Sequence, residues 1–257
     1  MENKVKSALA ALLTLALSTT VSAGGPAPIA TISVDPPAPS RALARYLATA
    51  ANRDPWSEPN PVFMEINAFL PGLEEQGCLR VVRHWVEHRT PDYQVIHFEG
   101  DATVRQQVIA RYLTAERRAA ALPVSSVAVT PANYRFRYIG SSSGGPAVYA
   151  FHITPRGKQP GLINGELWID GSTGLAVHEA GYLVKRPSMF IRRLNISRDV
   201  SLRDGIPHTR TTHLEIDTRL AGRAELTIVE RPSARPLSTI LETQGGENDG
   251  CTCSAGQ

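Results

Sequence analysis

A serine in a short glycine-rich stretch is the first candidate for chemistry in this 257-residue chain. Residues 140–144, GSSSG, match the G-x-S-x-G pattern of hydrolase nucleophiles, with Ser142 at the centre. That arrangement needs a strand, a sharp turn and then a helix. Here a second strand-like run follows the stretch, and Pro146 stands where a helix would begin. We therefore expect Ser142 in a hairpin loop. A hydrolase is the last of three functions that we consider for this chain, after the two described below.

Histidines are the next candidates, as metal ligands. The sequence HEAGY at residues 178–182 begins like a zinc-protease motif but lacks the second histidine four residues on. On a strand, His84 and His88 of HWVEH would share a face but lie about 13 Å apart, too far to chelate one ion easily. Because the surrounding residues favour a strand, we expect a solvated face, and we assign no metal and no cofactor.

The chain has three cysteines, Cys78, Cys251 and Cys253. An odd number in an oxidising compartment leaves at least one thiol free or paired with another chain. Metal binding by CTC at residues 251–253 is not expected, because four zinc ligands are not in evidence there. A core of ~200 residues can fold without disulfide staples, so we expect no disulfide scaffold.

The N-terminal residues have the three parts of a secretory signal. Lys4 and Lys6 form a basic start, residues 8–17 are apolar, and residues 21–23, VSA, are a small-residue cleavage site. The apolar run is too short to span a bilayer, and no later run is long enough. We predict a signal peptide at residues 1–23, with a retained anchor helix as the alternative, and a soluble mature protein that is periplasmic or secreted.

The charge balance excludes one class of partner. The formal net charge of +3 becomes +2 when the signal, with Lys4, Lys6 and Glu2, is removed. No cluster of Lys and Arg stands out, so we expect no nucleic-acid binding. We also expect a monomer.

The elements that carry these residues begin after a Pro-rich linker at residues 24–39. Ser40 is expected to cap a short helix over residues 41–52. The strongest helix is predicted at residues 101–120, with Asp101 as its cap and Val108 and Tyr112 on its apolar side. The domain is expected to span residues 40–230, followed by a disordered polar tail at residues 231–257.

Most other segments alternate apolar and polar residues, as half-buried strands do. Short turns such as DGST at residues 170–173 make neighbouring strands antiparallel. We expect two helices to be too few to cover the dry face of so long a sheet. We therefore predict a mainly β fold with helices (α+β): a strongly curved antiparallel sheet of about ten strands, forming an incomplete β-barrel with helices over its concave face.

One hairpin carries a family resemblance. In residues 168–175, WIDGSTGL, Asp170 and Thr173 can bond the turn amides and Gly174 supplies a positive φ. This stretch resembles the hairpin of the RseB and LolA/LolB-like lipoprotein-carrier superfamily, and the order of elements agrees over residues 41–230. The resemblance implies an incomplete barrel with a helical lid that binds acyl chains of lipoproteins, to carry or to sense them. The chain departs from it in lacking the LolB lipidation cysteine and the second domain of RseB.

The function predicted on these grounds is a secreted or periplasmic carrier, not an enzyme, that binds a lipid or the acyl chain of an outer-membrane lipoprotein in an apolar cavity. The second reading is a sensor or interaction module that recognises another envelope protein and has a filled core. The helix with Val108 and Tyr112 would be the lid. The residues expected to line the cavity are Phe136, Tyr149, Phe151, Leu167, Ile169, Leu194, Ile196, Leu214, Leu226, Val108 and Tyr112.

Overall fold

The computed structural model describes residues 39–50, 56, 61–86, 90–142, 147–219 and 222–233. The helical segments are α1 (Pro39–Ala50), α2 (Ala102–Val104), a π-helical turn (Arg105–Ile109), α3 (Ala110–Ala120) and α4 (Val124–Val127). The strands are β1 (Val62–Leu70), β2 (Glu75–Val86), β3 (Thr90–Gly100), β4 (Tyr134–Ser141), β5 (Val148–Pro155), β6 (Ile163–Asp170), β7 (Ala176–Leu183), β8 (Ile191–Arg203), β9 (Ile206–Thr218) and β10 (Arg223–Pro232).

All ten strands belong to one antiparallel sheet in the order β3-β2-β1-β10-β9-β8-β7-β6-β5-β4. Every neighbouring pair is consecutive in the chain except β1 and β10, which join the first three strands to the last seven. Strands β3 and β4 are the two edges, so the sheet is not closed into a barrel. The predicted mainly β class with about ten antiparallel strands is confirmed.

One face of the sheet carries the core, and we call it the inner face. Side chains of alternate residues project to the same side, and the cross-strand register connects Met64 and Ile66 of β1 with Glu230 and Ile228 of β10 on this face. Two clusters of buried apolar residues lie on the inner face. The first draws mainly on β1, β2, β9 and β10, and the second on β4, β5 and β6.

The helical segments pack on these clusters. Val104, Val108 and Ile109 are buried in the first cluster, and Ala42 and Tyr46 of α1 are buried in the second. The predicted α-helix over residues 101–120 differs from the structure in its second turn, which is π-helical. The wider turn directs residues four and five apart toward the same sheet.

Of the two predicted helix caps, Ser40 is wrong and Asp101 is confirmed in its position. α1 already begins at Pro39, whose fixed φ suits the first helical position, so Ser40 lies within the helix instead of before it. Asp101 occupies the cap position of α2, but its side chain makes no capping bond. Its Oδ2 instead accepts a hydrogen bond from Gln76 N at 2.8 Å, which fixes the start of the helix to β2.

The structure describes the predicted C-terminal limit of the domain but not the segments predicted at the two ends of the chain. β10 continues to Pro232, two residues beyond the expected limit of the domain, and Ser233 N donates to Pro61 O at 2.8 Å. The expected signal peptide, most of the linker, and the tail after residue 233 lie outside the described residues. Within the described part of the chain, no helix combines the length and apolarity needed to cross a membrane.

Candidate functional site

The hairpin between β6 and β7 is organised by Asp170 and holds α1. Asp170 Oδ1 accepts hydrogen bonds from Ser172 N at 3.1 Å and Thr173 N at 2.7 Å, and Thr173 Oγ1 accepts from Leu175 N at 3.2 Å. These are the turn contacts predicted for Asp170 and Thr173. Burial raises the pKa of Asp170, but bonds from Ser172 and Thr173 outweigh it and lower the pKa overall.

The same turn binds α1 through Arg45. Arg45 Nη1 donates to Gly171 O at 2.9 Å and also to Ser172 O. Gly174 has a φ of +74°, and a Cβ there would lie 2.5 Å from Arg45 Cγ. Both the backbone conformation and the close approach of α1 therefore require glycine. The turn thus positions the helix that packs over the second cluster.

A cavity of about 590 Å³ lies against the inner face, bordered by residues of α1, of the chain from α3 to α4, and of β6 to β9. Ligand pockets in proteins typically have ~300–1,000 Å³. Much of its lining is apolar: Leu122, Val127, Val129, Ile163, Leu167, Leu175, Leu183, Ile196 and Val200.

One wall of the cavity is charged, and we call it the polar wall: Glu179 on β7, Arg198 on β8 and Arg210 on β9. Glu179 and Arg198 are direct cross-strand partners, and Arg198 Nη1 donates to Glu179 Oε2 at 2.8 Å. Arg210 donates two hydrogen bonds to Glu230, from Nε at 2.5 Å and Nη2 at 2.7 Å. The wall therefore interrupts an otherwise largely apolar surface with paired charges.

Behind the polar wall the ion pairs continue into the first cluster. Glu230 also binds Arg83 Nη1 at 2.9 Å, and Arg83 binds Glu116 of α3. Burial raises the pKa of Glu230, but Arg210, Arg83 and Arg198 more than compensate and lower it overall. Glu230 is therefore ionised at neutral pH although its side chain is only 4% exposed.

Trp56 covers this group of ion pairs and borders the cavity. Its carbonyl oxygen accepts a hydrogen bond from Arg83 Nη2 at 3.0 Å. Its ring lies 4.9 Å from the Arg210 guanidinium carbon, in a cation–π arrangement. The residue is 5% exposed, so Trp56, which stands among prolines in the sequence DPWSEPNP (residues 54–61), supplies a buried aromatic to the site.

Two tyrosines complete the site from the other side. Burial is the main cause that raises the pKa of Tyr46 and of Tyr134, and the negative charge of Glu179 adds to it in both. Tyr134 Oη accepts a hydrogen bond from Ile163 N at 3.0 Å. Both phenols are thus neutral at physiological pH and border the cavity close to Glu179.

The residues expected to line the cavity are distributed over three places. Leu167 and Ile196 line it. Tyr149, Phe151 and Ile169 lie with Leu167 in the second cluster, and Phe136 packs against them. Val108, Leu214 and Leu226 are buried in the first cluster, with Leu194 and Tyr112 packed against it. The structure therefore brings two of the predicted residues to the cavity wall and places the others in the core on either side.

The other candidate residues, Ser142, His178 and His84, lie on strands of the sheet or directly next to them. Ser142 follows β4, its N donates to Val148 O at 3.0 Å, and β5 is the next described element after it. His178 Nδ1 lies 2.6 Å from Asp199 Oδ1 as a cross-strand pair. His84 lies on β2 and His88 falls outside the described residues. No three metal-ligating side chains come together within the described ranges.

The polar wall is not among the residues predicted from sequence, although a signal for it exists. Arg198 of the polar wall comes two residues after Ile196, and Glu230, the partner of Arg210, comes two residues after Ile228. Each therefore stands at a position where its strand would otherwise continue the alternation of apolar residues. A charge at a position of the apolar series indicates either the end of the core or a buried ion pair. Deciding between them requires knowledge of which strands are neighbours.

Comparisons with known proteins identify no relative of this chain. No family model, no curated protein and no solved structure matches the chain. The resemblance at residues 168–175 to the lipoprotein-carrier superfamily therefore rests on those residues and on the order of the elements.

Proposed function

We propose that this chain is a lipid-binding carrier of the cell envelope, which holds an acyl chain, free or part of a lipoprotein, in the cavity between the sheet and the helical segments. The observation that carries the proposal is the cavity of about 590 Å³ with its largely apolar lining. The site needs no cofactor to bind such a ligand. A periplasmic or secreted location belongs to the proposal and rests on the signal-like residues 1–23.

The binding energy of an acyl chain comes from removing its methylene groups from water. Each buried methylene contributes about 0.8 kcal/mol. A 16-carbon chain could therefore gain on the order of 10 kcal/mol before the costs of association and ordering. The apolar lining from Leu167, Ile196 and Val200 offers such a surface.

The resemblance to lipoprotein carriers supports the same class of ligand. In that superfamily the space between a partial barrel and a helical lid binds acyl chains. Here α1 is held to the sheet by Arg45 at the resembling hairpin, which leaves the end of α3 and the chain directly after it as the more accessible border of the cavity. Ala119 and Leu122 lie on that border, and Ala119 is exposed.

Lipid recovered with the protein tests the proposal. The protein is expressed with its own N-terminus, purified without detergent, extracted, and the extract is analysed by mass spectrometry. We expect lipid in stoichiometric amount, and much less from Ala119→Trp, whose indole would stand at the cavity border. The control is Ala115→Trp, which places the same side chain at an exposed position of α3 that does not line the cavity.

Each outcome has a distinct meaning. Lipid bound to the wild type and to Ala115→Trp but lost from Ala119→Trp supports a ligand in the cavity. Equal recovery from all three proteins would mean that lipid adheres elsewhere. No lipid together with one co-purifying envelope protein would overturn the carrier and favour a sensor.

A further inference from the structure

The charges of the polar wall indicate the chemical class of the ligand, which the proposed function leaves open. In each of its ion pairs the arginine is more exposed than the glutamate: 34% against 13% for Arg198 and Glu179, and 16% against 4% for Arg210 and Glu230. Both arginines line the cavity, whereas Glu230 does not. The wall therefore presents mainly guanidinium groups to a ligand.

The two arginines are also close neighbours on the sheet. Arg198 is opposite Thr212, and Arg210 lies two residues from Thr212 on the same face of β9. Such diagonal positions lie about 7–8 Å apart, within reach of one small group for side chains as long as arginine. Within the described part of the chain Arg198 Nε has no hydrogen-bond partner, but this atom is shielded from solvent, so the 34% exposure of the side chain comes from its other atoms. Of these, Nη1 donates to Glu179 Oε2 at 2.8 Å.

The ion pairs at and behind the polar wall contain equal numbers of positive and negative side chains. Glu179, Glu230 and Glu116 balance Arg198, Arg210 and Arg83, so the group of ion pairs is neutral as a whole. The positive and negative charges are not equally accessible from the cavity. Glu230 and Arg83 are nearly fully buried, whereas Arg198 is the most exposed member that lines the cavity. An anion at the polar wall would therefore contact N–H donors of arginine. Among the described residues, the Glu179 carboxylate would compete with it for Arg198.

We propose that the ligand is a single-chain amphiphile whose anionic group, a carboxylate or a phosphate, binds Arg198 and Arg210 while its chain lies along Leu167, Ile196 and Val200. This inference rests on the proposed function, since it requires an acyl chain in the cavity. Arginine suits both anions because its guanidinium group is always charged and presents several N–H donors, which carboxylates and phosphates accept. The polar wall thereby sets which end of the ligand enters first.

Binding of a matched set of probes tests the inference. Dodecanoate, dodecyl phosphate and the neutral methyl ester of dodecanoate are titrated against the full chain by displacement of a fluorescent fatty acid. We expect both anions to bind at least about tenfold more tightly than the ester, as a charged hydrogen bond in a partly shielded site provides. The tighter of the two anions identifies the head group.

Two variants of the same ion pair distinguish an effect of charge on binding from an effect of cavity shape. Arg198→Gln should weaken dodecanoate about tenfold, and Glu179→Gln should tighten it because Arg198 loses its competing partner. Both should leave the ester unchanged. Arg192→Gln is the matched control, since Arg192 is an exposed residue of the same strand outside the cavity lining.

The results distinguish this inference from the proposed function. Opposite shifts in the two variants, confined to the anions, support an anionic head group. If the ester binds as tightly as dodecanoate and neither variant matters, the inference is overturned while the lipid carrier stands. If none of the probes binds, both are overturned.

Discussion

Arg83 on β2 and Glu230 on β10 form an ion pair with 2.9 Å between Nη1 and Oε1, and each side chain is only 4% exposed. The pair lies on the inner face next to Val81 and Met64, which are buried apolar residues. Two charges can be buried there because each has further partners: Glu116 and the Trp56 carbonyl for Arg83, and Arg210 for Glu230.

Removing one member of this group should be costly. Arg83→Met leaves Glu230 and Glu116 with fewer partners, and we expect the free energy of unfolding to fall by about 3–5 kcal/mol in urea titrations. The control is Arg80→Met, which removes a 3.5 Å contact with Glu65 between side chains 30% and 26% exposed. That change should cost less than about 1 kcal/mol. Equal costs for the two variants would contradict a structural role for the buried group.

The lowered pKa of Glu230 predicts a loss of stability in acid. As the pH falls below about 4.3, the ordinary pKa of glutamate, the unfolded chain takes up a proton that the folded chain resists. The contribution of Glu230 is therefore complete above that pH and is lost as the pH falls through its folded pKa. The free energy of unfolding, measured between pH 6 and about 3, should decline less steeply in Glu230→Gln than in the wild type.

Two facing glycines allow the close approach of β6 and β7. Gly165 and Gly181 are cross-strand partners, and a Cβ on Gly165 would lie 1.9 Å from Ala180 O. Gly165→Ala should therefore lower the free energy of unfolding by at least about 2 kcal/mol, because backbone atoms would have to move. Gly140→Ala, where nothing lies within 4 Å of the new Cβ, should have little effect in the same measurement. A neutral Gly165→Ala would show that the two strands can separate freely.

Cys78 is disulfide-bonded and fully buried. The sequence has two other cysteines, Cys251 and Cys253, and both lie outside the described residues. We expect peptide mapping without reductant to recover Cys78 linked to the 251–253 segment of the same chain. We also expect reduction to lower the free energy of unfolding by about 2–4 kcal/mol. A covalent dimer in the unreduced protein would contradict this pairing.

Several strands could be predicted from sequence because apolar and polar residues alternate along them, and this pattern is independent of the rest of the chain. Tyr149, Phe151 and Ile153 of β5, for example, are buried at every second position as expected. Short turns such as residues 170–175 also determined that neighbouring strands are antiparallel. The hairpin chemistry of Asp170 and Gly174 is local, and it too could be predicted.

What the sequence could not provide is contact between distant segments. The pairing of β1 with β10 joins residues far apart in the chain, and it brings Glu230 beside Arg83 and Arg210. Without that pairing, a charge in an apolar series has no identifiable partner. The placement of Trp56 is equally non-local, since a single aromatic among prolines has no periodicity from which to infer burial.

The most direct test of the central claim is to locate a bound chain by photocrosslinking. A diazirine-bearing fatty acid is incubated with the full chain, irradiated, and the labelled peptides are identified by mass spectrometry. Labels on cavity-lining residues of β6, β8 and the segment after α3, such as Leu167, Ile196 and Leu122, are the predicted result. Labels confined to exposed apolar residues such as Met189 and Ile206, or no labelling above a protein-free control, would contradict a lipid-binding cavity.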